Sequence, residues 1–470
     1  MLTNLDWLGS GKPYPPTGEQ ARIERYCENR KLFETNHAEA WREEFDRIAR
    51  RLRKSPNEVR TILNYQQLLS KKTADFVCSE PPTLEFEGGA DSIEKILERQ
   101  RFSTRLYEGI IDVSRYGNAI PKIVDNRLTT VAPEYWFPIV SQSDLKEIVQ
   151  HVIAFPTDFD EKGEAKELYV EVHNAGSVET RHYNYSGQTK LIGELKEVGT
   201  VTETNLDGFA VFPLFNVTHS GSIYGLDDYT IINSLVRQIM WRLHCADNVL
   251  DKHSDPSMSG PASALDFDEQ TGMYYLNLGN YFKRDRSDDP DISYVTWDGN
   301  LTANLSEIEM LFNQLYILSE MGAAFLEGNS SGSANSGTAL KLRLVAPRIK
   351  AQRIVGINDT TVRDIILALC KANGMTVDSN ALNLVWNDGL PDDPVEDANR
   401  RAVETGGRPT KSQFAAIKER GLSDDETEAE LEQIRLERAA EEPYTLGIDD
   451  PLAGEDVSDD DGTDAGELIS

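Results

Sequence analysis

The sequence lacks the features of a secreted, zinc-binding or membrane-spanning protein. Its four cysteines, Cys27, Cys78, Cys245 and Cys370, lie far apart and form no C-x-x-C pair. We therefore expect buried thiols rather than a disulfide framework or a zinc module. No stretch approaches the roughly 18 uninterrupted apolar residues that cross a membrane, and the N-terminus lacks the basic start and apolar core of a signal peptide. The resulting expectation is a cytoplasmic protein that does not bind a membrane.

Positive charge is also scarce. Lysine and arginine number 48 against 79 acidic residues, and the formal net charge is −31. A protein that binds DNA tightly by neutralising phosphates should be basic on at least one face. Because this chain is strongly acidic, tight, sequence-independent DNA binding is not the expected main activity. The basic run from Arg47 to Lys54 has two interpretations: a strip that contacts phosphates, or a solvated helix face paired with Glu39, Glu43 and Glu44, which is the commoner arrangement.

Catalytic motifs are absent from the sequence as well. Gly332–Gly337 has the glycine spacing of a nucleotide-binding loop, but Thr338 and Ala339 stand where that loop needs a lysine and a magnesium-binding hydroxyl. The seven histidines form no H-E-x-x-H motif. Acidic turns at Asp288–Asp291 and Asp392–Asp393 leave a metal site open as an alternative, although such turns are usually only solvated. We expect no cofactor, no metal and no catalysis.

Hydrophobic periodicity predicts an α+β protein. Apolar residues recur at helical spacing over Asn57–Val77 and again over Ser92–Tyr116, where Gly117 gives a left-handed cap signal. A short strand is predicted at Thr83–Phe86. From Ala119 to Val217, alternating segments separated by Gly, Asp and Asn turns predict a β-meander.

Long helices follow the meander. Apolar residues from Leu226 to His253 predict a helix of about seven turns, with Asp227 and Asp228 favourably placed at its N-terminal end. A second long helix is predicted over residues 301–321, after an insert rich in glycine and proline. Two long helices that flank a compact insert indicate a stalk with a small domain at its tip.

The C-terminal part of the chain adds further helices and an acidic tail. A third long helix is predicted from Thr338 to Cys370, with a kink at Pro347. Ser412–Arg420 and Asp424–Ala440 are predicted to form a helical pair. From Glu441 onward the chain contains many aspartates and no lysine or arginine, which predicts disorder.

The order of these parts resembles the portal proteins of tailed bacteriophages, particularly those of long-tailed phages of Gram-positive hosts. Four segments carry the resemblance: Asn64–Pro82, Gly225–Leu235, Met321–Lys341 and Thr410–Ile434. No single motif decides the matter, because such proteins have no catalytic signature. The order and spacing of the segments together identify the family.

The resemblance implies a portal-type α+β architecture with an α+β wing, long stem helices, a small α/β clip and a helical crown. In chain order the implied segments are an N-terminal helical arm (1–56), the wing (57–225), a stem helix (226–253), the clip (254–299), a second stem helix (300–321), a tunnel loop (322–337), a kinked helix returning to the wing (338–391), the crown (392–440) and a disordered acidic tail (441–470). The proline-rich opening and the acidic tail depart from the family pattern.

The resemblance also implies a function without catalysis. Such proteins form closed rings, usually of twelve subunits, through which double-stranded DNA is packaged, retained and ejected at a capsid vertex of the virion. Assembly takes place in the host cytoplasm. The implied partners are the large terminase subunit, head–tail connector proteins, and the major capsid and scaffolding proteins.

Two groups of residues are candidates for this function. The polar tunnel loop would approach a weakly held duplex through Asn329, Ser330, Ser331, Ser333 and Asn335. The stem helices would pack within and between subunits through Leu235, Ile239, Leu243, Leu311 and Leu315. Two other classes stay open at this point: a metal-dependent nuclease or other enzyme of phage DNA metabolism, and a minor head or connector protein.

Overall fold

The structure is a computed structural model that describes residues 1–53, 55, 62–86, 90–254, 258–259, 265–276, 293–294, 302–322, 344–386, 411–418 and 422–441. The chain divides into two units, Met1–Leu390 and Pro391–Ser470. The helices of the first unit are α1 (Gln20–Phe33), α2 (His37–Ala40), α3 (Arg42–Leu52), α4 (Tyr65–Val77), α5 (Asp91–Arg99), α6 (Phe102–Tyr116), α7 (Tyr229–Ser254), α8 (Thr302–Leu318) and α9 (Val345–Ala372). Among the described residues, no helix is both long enough and apolar enough to cross a membrane.

The strands confirm the predicted α+β class. They are β1 (Thr83–Phe86), β2 (Asn118–Val124), β3 (Arg127–Val131), β4 (Trp136–Val140), β5 (Ile148–Phe159), β6 (Ala165–Asn174), β7 (Ser177–Ser186), β8 (Leu191–Val198), β9 (Thr202–Glu203), β10 (Leu214–Phe215), β11 (Met258–Ser259), β12 (Leu265–Asp268), β13 (Met273–Leu276), β14 (Ser293–Tyr294) and β15 (Leu382–Val385). Most of the predicted meander is an antiparallel sheet in the order β4-β5-β6-β7-β8, with β9 paired to β7. Its first predicted strand, which begins at Ala119, is β2 and belongs to a separate sheet.

The proline-rich opening of the chain covers one face of this sheet. Trp7 and Tyr14 pack against Phe137 of β4, with ring centroids 5.1 and 5.8 Å apart. The Tyr14 hydroxyl donates a hydrogen bond to the carbonyl of Ala154 on β5, at 2.6 Å. The opening segment is therefore part of the sheet's hydrophobic core, a role that the sequence did not indicate.

Two smaller sheets connect distant parts of the chain. Strand β2 lies between β3 and β10. Strand β1 pairs antiparallel with β15 near the end of the unit, with Thr83 opposite Val385. Both sheets pack with α4, α6 and α9 around a core that contains Ile110, Ile354 and Ile366.

Two predicted helices near the start of the first unit have different bounds in the structure. The segment Ser92–Tyr116 is two helices, because Arg101 adopts a left-handed conformation (φ 52°) between α5 and α6. Helix α4 begins at Tyr65, since the side chain of Asn64 caps it by accepting the backbone N–H of Gln67 at 2.9 Å, and residues 57–61 of the predicted helix lie outside the described residues. Side-chain caps of this kind fix where a helix starts.

The predicted kink at Pro347 is also wrong. Helix α9 begins at Val345, not at Thr338, so Pro347 lies in its first turn. Backbone N–H groups in the first turn have no partner within the helix, and proline is tolerated there. The segment from Thr338 to residue 343 lies outside the described residues.

The predicted long helix over Leu226–His253 is present as α7, with its start shifted to Tyr229. The Asp227 carboxylate accepts the backbone N–H groups of Tyr229 and Thr230, at 3.0 and 2.7 Å. Helices α7 and α8 pack together through one hydrophobic cluster, to which α3 also contributes. An Arg242–Glu307 salt bridge of 2.7 Å joins the two long helices further along.

The second unit contains the predicted helical pair, Gln413–Lys418 and Asp424–Glu441. Ser423 and Glu426 form a capping box: the Ser423 N–H donates to the Glu426 carboxylate at 2.9 Å, and the Glu426 N–H donates to the Ser423 hydroxyl at 3.4 Å. This reciprocal cap fixes the start of the longer helix.

Candidate helix junction and subunit interface

A buried ion pair holds three long helices together. Lys350, near the start of α9, is 2% exposed, and its Nζ lies 2.8 Å from the Oδ2 of Asp228 just before α7. The same ammonium donates to the carbonyl of Ser319 at the end of α8, at 3.3 Å. One lysine therefore joins the start of α7, the end of α8 and the start of α9.

Neutral groups satisfy the rest of the Asp228 carboxylate. The Ser114 hydroxyl on α6 donates to it at 2.7 Å, and the Asn216 amide donates at 2.8 Å. Ser70 on α4 bonds both the Ser114 hydroxyl, at 3.1 Å, and the Tyr229 hydroxyl, at 2.8 Å. A buried charge is tolerated when it is paired and hydrogen-bonded in this way, so the junction ties the long helices to the α4–α6 body.

Two glycines permit the chain to reach this junction. Gly117 ends α6 with φ +83°, which confirms the predicted left-handed cap. A Cβ added at Gly117 would meet the carbonyl oxygen of Gly225 at 2.4 Å, and one at Gly225 would meet the Gly117 oxygen at 2.2 Å. The close backbone approach requires glycine on both sides.

The five predicted tunnel-loop residues lie outside the described residues: Asn329, Ser330, Ser331, Ser333 and Asn335. The structure does describe the chain on both sides of that segment, up to Gly322 and from Leu344. An ion pair between Glu320 and Arg353 joins these two sides, in addition to the bond from Lys350. The end of α8 and the first turns of α9, which precede and follow the segment in sequence, are thus joined.

The predicted stem residues pack within the subunit. Ile239 and Leu315 are fully buried in the cluster shared by α3, α7 and α8. Leu235, Leu243 and Leu311 are partly buried against the same cluster. Their role between subunits stays a prediction.

Other apolar residues of the long helices are exposed. Met310 and Ile317 on α8 are 57% and 67% exposed, and Ile231 on α7 is 52% exposed. Met310 and Ile317 lie seven residues apart on the side of α8 opposite to buried Ile308 and Leu315. Apolar periodicity did not indicate them, because it marks the stripe that faces the core. The signal for them in the sequence is an apolar residue outside that stripe.

A buried titratable cluster lies between the sheets. Lys122 Nζ lies 2.6 Å from the Glu171 carboxylate, which also contacts His173 Nε2 at 2.9 Å. Although burial alone raises the pKa of Glu171, these partners outweigh it and lower the pKa to about 2. Burial, with His173 nearby, lowers the pKa of His151 to about 3, and His151 Nδ1 accepts the Trp136 indole N–H at 3.1 Å. The His151 arrangement suits a neutral imidazole.

The candidate metal and nucleotide sites are not supported by the described part of the chain. Within it, no three His, Cys, Asp or Glu residues are arranged to hold a metal ion. The acidic turns Asp288–Asp291 and Asp392–Asp393 and the glycine-rich segment Gly332–Gly337 lie outside the described residues. The four cysteines are free thiols, although Cys370 alone is fully buried and the other three are partly buried.

Comparison with known proteins finds a family match over part of the chain. Residues 16–205 match the family of phage portal proteins described as SPP1 Gp6-like. The matched segment is about two fifths of the chain, and it agrees with the resemblance that the order of the segments carries. No curated protein matches the sequence significantly.

Chains of several solved structures also match. One comes from the virion of a native gene transfer agent particle (11% identity, TM-score 0.46), one from the neck of the native particle computed with C12 symmetry (10%, 0.44), and one from the neck of the empty particle computed with C6 symmetry (12%, 0.47). Each similarity covers 88% of this chain and 96% of the other.

Proposed function

We propose that this chain is one subunit of a closed portal ring through which double-stranded DNA enters and leaves a capsid. The observation that carries the proposal is the pair of exposed apolar side chains on α8, Met310 and Ile317, on a long helix held in place by a buried ion pair. An isolated subunit would leave this apolar surface in water, whereas a neighbouring copy in a ring would cover it.

The charge of the chain fits a conduit rather than a DNA clamp. Twelve copies with a net charge of −31 each would repel a duplex at short range, since charges are screened beyond about 8 Å at physiological ionic strength. A polar segment would add weak hydrogen bonds to the duplex. We assign this role to the segment that contains Asn329 and Asn335, which lies in sequence between α8 and α9.

The domain roles follow from this assignment. The wing comprises 57–225, with the meander as its sheet, and α7 and α8 are the stem helices. The segments between them, 254–299, form the clip, and the helical pair of the second unit belongs to the crown. The clip is the proposed docking site for the large terminase subunit and later for head–tail connector proteins, and capsid and scaffolding proteins are the partners proposed around the ring.

The double substitution Met310→Asp/Ile317→Asp tests the interface. Full burial of each side chain contributes roughly 1.5–3 kcal/mol, and two buried carboxylates per contact add desolvation and repulsion. We expect the variant to remain a folded monomer by light scattering and circular dichroism while the wild type forms rings. Phe159→Asp is the matched control, because Phe159 is equally exposed (63%) but lies on the sheet. Normal rings from the double variant would refute the interface.

A further inference from the structure

A cleft of about 430 Å³ between α3 and α7 concentrates positive charge in this acidic chain. Its lining includes Arg47 and Arg51 from α3, Arg237 and Trp241 from α7, and one carboxylate, Glu44. Arg47 and Arg51 belong to the basic run for which the sequence left two interpretations open.

Two of the arginines are held by tryptophan rings. The Arg51 guanidinium lies 4.9 Å from the ring centre of Trp241, and the Arg237 guanidinium lies 5.3 Å from that of Trp41. Stacking fixes the plane of a guanidinium and leaves N–H groups at its edge, where a carboxylate or phosphate can bind in bidentate fashion. Arg237 uses one donor, Nε, on the carbonyl of Asn233 at 3.3 Å.

The described residues supply few acidic partners for these arginines. Arg47 lies 3.3 Å from Glu44, as the solvated-face interpretation predicts. Arg51 and Arg237, by contrast, form no salt bridge with any residue in the described part of the chain. The cleft therefore presents two oriented cationic groups to an anion from outside the subunit.

The cleft is continuous with the exposed apolar surface of α7. Ser234, Gln238 and Trp241 line the cleft and follow Ile231 at intervals of three or four residues, which places all four on one side of the helix. Ile231 is 52% exposed. A neighbour that covers Ile231 would thus also reach Arg237.

We propose that this cleft receives carboxylate side chains of a second copy of the chain, the adjacent subunit of the ring. The inference rests on the proposed function. A chain with 79 acidic residues offers carboxylates on its own surface, whereas a DNA backbone would have to approach against the net charge of the whole ring. Partly desolvated arginine–carboxylate pairs gain strength as the contact closes.

The test compares ring stability of the full-length wild type and Arg51→Gln/Arg237→Gln by mass photometry at low and high NaCl. At low salt we expect the variant to need about tenfold more protein for half-assembly, since charge-assisted bidentate bonds are lost. High salt should weaken the wild type towards the variant. Arg99→Gln is the control, because Arg99 is exposed on α5, away from the cleft. The variant Arg51→Lys/Arg237→Lys keeps the charge, should fold normally, and should weaken assembly less.

Equal half-assembly concentrations for the wild type and both double variants would overturn the inference while leaving the proposed function intact. So would unchanged rings combined with weaker binding of a short DNA duplex, which would make the cleft a nucleic-acid site. Failure of the wild type to form rings would instead remove the proposed function, and this inference with it.

Discussion

Replacement of Lys350 by methionine is predicted to loosen the junction of the three long helices. Lys350 is 2% exposed and its partner Asp228 is 10% exposed as a side chain, so water does not replace the lost ammonium. Removal of one partner of a buried ion pair costs roughly 3–5 kcal/mol. Asp228 keeps its hydrogen bonds from Ser114 and Asn216, and methionine preserves most of the side-chain volume. We therefore expect the free energy of unfolding to decrease by about 3 kcal/mol, the lower end of that range.

The assay is urea unfolding followed by tryptophan fluorescence, in the Met310→Asp/Ile317→Asp background. A monomeric background prevents assembly from adding to the apparent stability. The double substitution Lys350→Met/Asp228→Asn removes both charges and should recover at least half of the loss, because no unpaired charge is left buried.

Lys371→Met is the control on the same helix. Its salt bridge to Asp207 spans 2.6 Å but is exposed, with side-chain exposures of 40% and 94%, and surface pairs of this kind contribute little. We expect no measurable change. If Lys350→Met lowered the free energy of unfolding by no more than Lys371→Met does, the junction would be hydrated and the ion pair would not hold the helices together.

Two other predictions concern the body of the first unit. Gly117→Ala should destabilise the protein by more than about 2 kcal/mol, because Gly117 has a positive φ and lies close to Gly225. Gly163→Ala, at a similar φ but with open space around it, should cost about 1 kcal/mol. Equal losses of unfolding free energy in urea would contradict the close approach. The pKa of His151 is lowered to about 3 in the folded chain, so below pH 6.5 the unfolded chain binds a proton that the folded chain excludes. The free energy of unfolding should therefore decrease as the pH is lowered, by up to about 1.4 kcal/mol per pH unit. His151→Gln should reduce that slope, and an unchanged slope between pH 6.5 and 4 would contradict a buried neutral imidazole.

The long helices and the meander could be predicted because their signals are local. Apolar periodicity predicts α7 over many turns. The Asp227 carboxylate marks the start of α7, and Gly117, which has no side chain, marks the end of α6. The β1–β15 pairing gave no local signal, since Thr83 and Val385 lie at opposite ends of the unit. The division at Arg101 was missed for a similar reason: a left-handed residue between two amphipathic segments does not interrupt their apolar pattern.

The candidate site was predictable only in part. Periodicity identifies Ile239 and Leu315 as members of a packed stripe, but it cannot say whether the stripe faces the same subunit or another, and the structure buries both within the subunit. Lys350 was not singled out, because a lysine in a helix is normally exposed. Its burial depends on Asp228, a partner more than a hundred residues away that only the fold brings near.

The central claim is that subunits close into a ring around a channel that DNA can pass without being held. Electron microscopy of the purified full-length chain tests it most directly. We predict closed ring particles with a central hole wide enough for duplex DNA, with Met310 and Ile317 at the contacts between neighbours. Single subunits at every protein and salt concentration would contradict the account.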